Sequence, residues 1–291
     1  MSLEIQAYQP ANSVKIVTAT SLFDGHDASI NIMRRILQDT GAEVIHIGHN
    51  RSAKEVVDAA IEEDAQGIAV SSYQGGHVEY FKYMVDLLKE NGASKIKVFG
   101  GGGGVIIPAE IDELQDYGVA RIYSPEDGAH MGLQGMINNM MEIMDHPGVD
   151  YDSLDYDRLN PENKYITANF ISAVQEAGTR DPALLEKVMA EISKMAGKRD
   201  IPVIGLTGTG GAGKSSLTDE LINRILRDLK EISIAIISCD PSRRKTGGAL
   251  LGDRIRMNAI DSDRVYMRSL ATRRSQTELP EALPHAVAVA K

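Results

Sequence analysis

Across residues 14–145, apolar runs alternate with amphipathic stretches, and this limits the possible folds more than any single motif. Val14–Thr20 is apolar and β-branched, as a buried strand requires. Ala28–Asp39 then places Ile32, Ile36 and Leu37 on one helical face. The pattern recurs as strand Glu43–Ile47, then a helix capped by Ser52 with Val56, Val57, Ala60 and Ile61 at helical spacing. Strand Gly67–Val70 and helix Val78–Lys89 follow, the latter stopped at Asn91-Gly92. Strand Ile96–Phe99 comes next, with a helix opening at Pro108 and ending at Gly118. Strand Val119–Tyr123 and helix Gly128–Met144 close the series. Near-continuous apolar strands separated by helices are buried on both faces and run parallel. The fold expected is α/β, a flavodoxin-like doubly wound parallel sheet.

Residues 146–162 lack periodicity and read as a linker. Residues 163–197 read as a connecting helical segment, with an apolar stripe of Val174, Leu184, Leu185, Val188, Met189 and Ile192. A second β-α pattern begins with strand Ile201–Thr207, where Pro202 is tolerable at an edge. Helix Ser216–Asp228 and strand Ile232–Ser238 follow, and Glu278–Lys291 reads as a final helix with no further strand. The expected organisation is therefore a sheet domain over 1–145, a helical linker over 146–200, and a partial P-loop NTPase α/β domain over 201–291.

The loop between Thr207 and Ser216 satisfies G-x-x-x-x-G-K-[ST]. Gly208, Gly210, Gly211, Ala212 and Gly213 let backbone N–H groups turn inward around phosphate oxygens, at the positive end of the following helix. Lys214 is the expected partner of the β- and γ-phosphates, and the Ser215 hydroxyl that of Mg²⁺. Magnesium favours oxygen ligands, and Asp240 and Asp253 are the nearest carboxylates in sequence. Arg254 and Arg256 are either phosphate partners or surface charges, with Arg256 kept as the candidate. The motif does not distinguish ATP from GTP.

Composition narrows the partners. The net charge is −10, there is no long basic run and Trp is absent, which argues against nucleic acid. Cys239 is the one cysteine, so no disulfide forms within the chain and a reducing cytoplasm is the expected home. No apolar run approaches membrane-spanning length, and the N-terminus has no signal pattern.

Three features fall on the carboxyl edge of the first sheet, where open α/β sheets bind ligands. They are Asp24-Gly25-His26 after the first strand, Ser71-Ser72-Tyr73 after the third, and the run Gly100 to Gly104 after the fourth. Asp24, His26, Ser71 and Gly100-Gly101 stand at the spacings of D-x-H-x-x-G, S-x-L and G-G. The pattern resembles the cobalamin-binding domain of the adenosylcobalamin mutases and of methionine synthase. The resemblance implies that His26 is the lower axial ligand of cobalt and that Asp24 holds its other nitrogen. It also implies that Ser71 meets the displaced nucleotide tail, with Gly100 and Gly101 letting that tail pass against the sheet. Two positions depart from the pattern, Ser29 where glycine is usual and Tyr73 where leucine is frequent. Tyr73 is expected to reshape the tail pocket. His77 is open between a residue at the corrin edge and the start of a helix; His46 and His49 carry no expected role.

Residues 201–291 resemble the G-protein chaperones of cobalamin mutases, through the phosphate loop, Cys239-Asp240-Pro241-Ser242 and Gly247–Arg254. The order of the two parts is similar to that of the fused isobutyryl-CoA mutases. That resemblance implies adenosylcobalamin, GTP and Mg²⁺ as cofactors, radical isomerisation of isobutyryl-CoA to n-butyryl-CoA, and GTPase chaperone activity. It also implies a homodimer in the full protein, with acyl-CoA bound by a barrel domain outside residues 1–291. Residues 1–291 hold neither a Walker B strand nor N-K-x-D, and no (β/α)₈ barrel to hold acyl-CoA, so this chain alone is expected to lack mutase turnover. The alternatives are a subunit of methylmalonyl-CoA mutase, a non-catalytic corrinoid carrier or sensor, and a plain P-loop ATPase.

Overall fold

The computed structural model describes residues 5–196, 201–242, 246–272 and 279–291. Five β-α units come first, with strands β1 (Lys15–Ser21), β2 (Glu43–Arg51), β3 (Gly67–Ser71), β4 (Lys97–Gly101) and β5 (Arg121–Tyr123). Their helices are α1 (Ala28–Asp39), α2 (Ala53–Glu62), α3 (His77–Glu90), α4 (Pro108–Tyr117) and α5 (Pro125–Met144). Helices α6 (Lys164–Arg180), α7 (Pro182–Ala196) and α8 (Lys214–Asp228) follow. The remaining elements are β6 (Ile234–Asp240), β7 (Ala249–Leu251), β8 (Val265–Ala271) and α9 (Leu283–Ala290).

The main sheet has the order β5-β4-β3-β1-β2-β7, and every pairing is parallel. Its first five strands have the flavodoxin-like order expected from the sequence. Alternate residues point to opposite layers. Val17, Ile45, Ile68, Val70 and Val98 pack with Val56, Phe81 and Met84 of α2 and α3. Ile16, Val44, Ala69 and Phe99 pack with Leu37, Ile137, Met141 and Met144 of α1 and α5. Helix α2 starts where its sequence says. Ser52 Oγ accepts from Glu55 N at 3.2 Å while Glu55 Oε2 accepts from Ser52 N at 2.8 Å, a reciprocal capping box. Helix α5 bends at Gly132, whose φ of 63° and ψ of 172° suit glycine.

The second half departs from expectation in several places. Residues 201–207 form no strand: Val203 and Ile204 are 61% and 74% exposed. A strand persists only with a neighbour for its backbone groups, and β6 already pairs with β8 in a separate two-stranded sheet. Strand β8 is unforeseen, and so is β7, which adds itself in parallel to the outer edge of β2. Strand β6 begins two residues later than the periodicity suggests. The C-terminal helix spans Leu283–Ala290, and Glu278, its expected start, lies outside the described residues.

Helices α6 and α7 do more than connect. Ile166, Phe170, Ile171 and Val174 of α6 form a core with Val188 and Ile192 of α7, Tyr266 and Leu270 of β8, and Ala286 and Val289 of α9. A buried ion network joins the two halves at the end of α2. Arg254 Nε lies 2.9 Å from Glu63 Oε1, and its Nη2 lies 2.9 Å from Glu62 Oε2. Lys164 Nζ reaches Glu62 Oε1 at 2.8 Å, and the Ser269 hydroxyl donates to Glu63 Oε1 at 2.9 Å. Burial would raise the Glu63 carboxyl, but the Arg254, Lys15 and Arg268 cations outweigh it and hold it below the ordinary range. Among the described residues, no helix is long and apolar enough to cross a membrane.

Candidate cofactor edge and phosphate loop

The first three site elements meet at the carboxyl edge of the main sheet. Asp24 follows β1 and is 2% exposed. Its Oδ1 lies 2.8 Å from His26 Nδ1 and accepts from the His26 backbone N–H, also at 2.8 Å. Its Oδ2 accepts from Tyr73 N at 2.5 Å, which ties the β1 loop to the β3 loop. Burial pushes the Asp24 carboxyl up, but the N–H groups of Tyr73 and His26, with the His26 ring, bring it below its ordinary range. An ionised Asp24 has no proton to give, so Nδ1 carries the hydrogen between them and Nε2 lies on the far side of the ring from the carboxylate. The His26 side chain is 76% exposed, and its ring lies 5.8 Å from that of Tyr73, tilted by 45°. The result is a rigidly held imidazole offering one nitrogen outward, the arrangement seen when histidine binds a metal.

The other edge residues are placed unevenly. Ser71 is buried and donates its hydroxyl to Thr20 Oγ1 at 3.3 Å, while Ser21 Oγ donates to Ser72 Oγ at 2.8 Å. Thr20 and Ser21 are not singled out by the sequence pattern, although two more hydroxyls at a strand end are a visible signal. Gly100 corrects the expectation for the glycine run. A Cβ there would sit 2.5 Å from Phe81 Cζ, so its open side is filled by the protein's own α3. A Cβ on Gly101 would meet the Tyr123 carbonyl at 3.3 Å. The closest backbone approach falls at Gly102, where a Cβ would lie 1.9 Å from Ser72 O. Gly25 makes no such contact and leaves the loop open beside His26.

The phosphate loop is exposed, and α8 starts from it at Lys214. Gly211 and Gly213 have φ of 80° and 83°, the left-handed values the loop needs. Lys214 Nζ donates to Gly208 O at 2.6 Å and to Thr209 O at 2.9 Å, so the ammonium folds over its own loop. Asp240 ends β6 and stands near Asp253; burial first, then the Asp253 charge, pushes its carboxyl up to about 6. Arg256 lies 3.9 Å from Asp253 with a 68% exposed side chain. Arg254 is neither a phosphate partner nor a surface charge, since it is locked into the Glu62–Glu63 network. Oxygen donors suit magnesium, but among the described residues no hydrogen bond or ion pair joins Ser215 to Asp240 or Asp253. No group of three or more His, Cys, Asp or Glu side chains placed to hold a metal occurs among them either. The Asp240 and Asp253 carboxylates feel each other's charge, and the Ser215 hydroxyl stands in the first turn of α8.

This fold and edge define a class. Residues 14–131 match the family model described as B12 binding domain, and residues 167–289 match that of the methylmalonyl Co-A mutase-associated GTPase MeaB. The chain therefore couples a cobalamin-type domain to a GTPase-type segment, in the order read from the sequence. It is 60% identical over 287 residues to the fused isobutyryl-CoA mutase of Geobacillus kaustophilus, covering 98% of this chain and 26% of that protein. It is 61% identical over 283 residues to the fused isobutyryl-CoA mutase of Cupriavidus metallidurans, covering 97% and 25%. It is 36% identical over 89 residues to the 2-hydroxyisobutanoyl-CoA mutase small subunit of Aquincola tertiaricarbonis, covering 31% and 65%. The chain spans about a quarter of the length of the two fused relatives.

Proposed function

We propose that this chain is the adenosylcobalamin- and GTP-binding portion of a cytoplasmic acyl-CoA mutase that isomerises isobutyryl-CoA to n-butyryl-CoA. The observation that carries this reading is the Asp24–His26 pair, one buried carboxylate engaged through both oxygens and one exposed imidazole. Its donor chemistry fits cobalt, because neutral imidazole is a common ligand and a carboxylate behind it raises its basicity. His26 would ligate through Nε2, Asp24 would fix the tautomer, and Tyr73 would lie beside the ligand ring. Ser71 and Gly101 would border the nucleotide tail. When bound, adenosylcobalamin supplies the homolytic cobalt–carbon chemistry of carbon-skeleton rearrangement. The residues of this chain bind and orient it, and acyl-CoA selection belongs to a domain outside residues 1–291.

In the second half, the backbone of Gly208–Gly213 and Lys214 would take the phosphates of GTP. Arg256 would lie near them, and Ser215, Asp240 and Asp253 are the oxygen donors available to Mg²⁺. Lys214 must leave the carbonyls of Gly208 and Thr209 to reach a phosphate. The domain bounds proposed remain 1–145, 146–200 and 201–291. The homodimer is likewise proposed for the full protein. Visible absorption of the full chain with adenosylcobalamin tests the reading. A spectrum with histidine in the lower position is expected, and His26→Ala should abolish it; a spectrum unchanged by that substitution contradicts the proposal. Calorimetry of the full protein with GTP and ATP tests the nucleotide, with GTP expected to bind more tightly.

A further inference from the structure

His77 opens α3, and its side chain is only 7% exposed. Its Nε2 lies 3.0 Å from Glu110 Oε2 in the first turn of α4, and its Nδ1 lies 3.3 Å from Gln74 O. The same Glu110 oxygen accepts from Ile107 N at 3.0 Å. One carboxylate oxygen therefore joins the start of α3 to the start of α4. Gly76, the residue before His77, has a φ of 83° and offers no side-chain cap, so the His77 ring supplies the side-chain anchor there.

Between these helix starts, the loops after β3 and β4 touch backbone to backbone. Ser72 N donates to Gly101 O at 2.8 Å. Gly102 leaves no room for a Cβ beside Ser72 O, and a Cβ on Gly103 would lie 3.0 Å from Tyr73 Cε1. Tyr73 N in turn donates to Asp24 Oδ2, and Asp24 Oδ1 holds the His26 ring. A continuous set of contacts thus runs from Glu110 through His77, the loop over residues 72–76 and Asp24 to His26.

We propose that His77 and Glu110 are a positioning pair for cobalamin, clamping the β3 loop onto the β4 loop so that His26 is presented in one orientation. Neither residue touches the corrinoid; both act through Tyr73 and Asp24. The inference rests on the proposed cobalt role of His26. A ligand held in a single orientation loses less freedom on binding, so the clamp raises affinity without adding a contact.

The test is titration of the full chain with adenosylcobalamin, followed by visible absorption. His77→Phe keeps the ring volume and removes both ring nitrogens; Glu110→Ala removes the partner. Each is expected to weaken binding about tenfold to a hundredfold, the range for groups that orient a metal ligand. The double variant should be no weaker than the worse single one, because the two residues act as a unit. His77→Gln, which retains a donor toward Glu110, should recover most of the affinity. In a His26→Ala background, with binding followed by calorimetry, His77→Phe should change affinity by less than about twofold, since no imidazole remains to be oriented. Wild-type affinity in the single variants would overturn the pair. So would additive losses, or an equal loss in the His26→Ala background, which would mark a general structural role. Absence of the histidine-ligated spectrum in the unmutated protein is a different result and overturns the proposed function itself.

Discussion

Residues 67–71 and 201–207 are similar stretches with different fates. Both are short apolar runs leading into a loop suited to a ligand. Residues Gly67–Ser71 pair with β1 on one side and β4 on the other, and Ile68 is fully buried. Residues 201–207 have no strand beside them, and their apolar side chains face outward. The difference extends to the loops that follow. The β3 loop is fastened to its neighbours through Tyr73, Asp24 and His77, whereas among the described residues the Lys214 ammonium bonds only to the carbonyls of its own loop. A binding motif fixes which groups are available; the neighbouring strands fix where those groups stand.

The network at the end of α2 joins the two halves of the chain, and breaking it should have the largest effect. Arg254→Ala leaves Glu62 and Glu63 buried without their main cation and should cost about 3–5 kcal/mol, read from urea unfolding. A loss under about 1 kcal/mol would mean that the two halves are not joined through this network. The strand comparison can be tested in the same assay. Ile68→Ala should cost about 2–5 kcal/mol, while Ile204→Ala should stay within about 0.5 kcal/mol. Equal losses would show that 201–207 is as well packed as β3.

A smaller effect belongs to the sheet region alone. His46 is largely buried, with its Nδ1 3.0 Å from Thr18 Oγ1. Burial, then the Arg34 charge, brings its pKa down to about 4. The unfolded chain takes up the proton first, near the ordinary histidine value, so the contribution is complete above that value and is lost as the pH falls toward 4. The loss is at most about 3 kcal/mol. His46→Gln should flatten this part of the stability–pH curve, and an unchanged slope would assign it to other groups.

Much of this was legible in the sequence, and the exceptions share a cause. The five β-α units, the Ser52 cap and the Asp24–His26 loop are set by local pattern, and each falls where the sequence places it. Strand β8 and the unpaired state of 201–207 depend on which edges are available, which no local window contains. Arg254 lies between two candidate site residues in sequence, yet its partners are nearly two hundred residues away. Gly100 reads as room for a ligand because the sequence does not show Phe81 facing it. The role of His77 was open for the same reason, since Glu110 belongs to the next helix.

Electron paramagnetic resonance of bound cob(II)alamin tests the central claim most directly. The unpaired electron on cobalt couples to the nucleus of the lower axial nitrogen, so isotopic substitution identifies the donor. Protein labelled with ¹⁵N-histidine should convert the triplet splitting of an axial ¹⁴N into the doublet of ¹⁵N, and His26→Ala should remove the doublet. A triplet that persists with the labelled protein would show that the cofactor's own base still holds the cobalt, and would contradict the role assigned to His26.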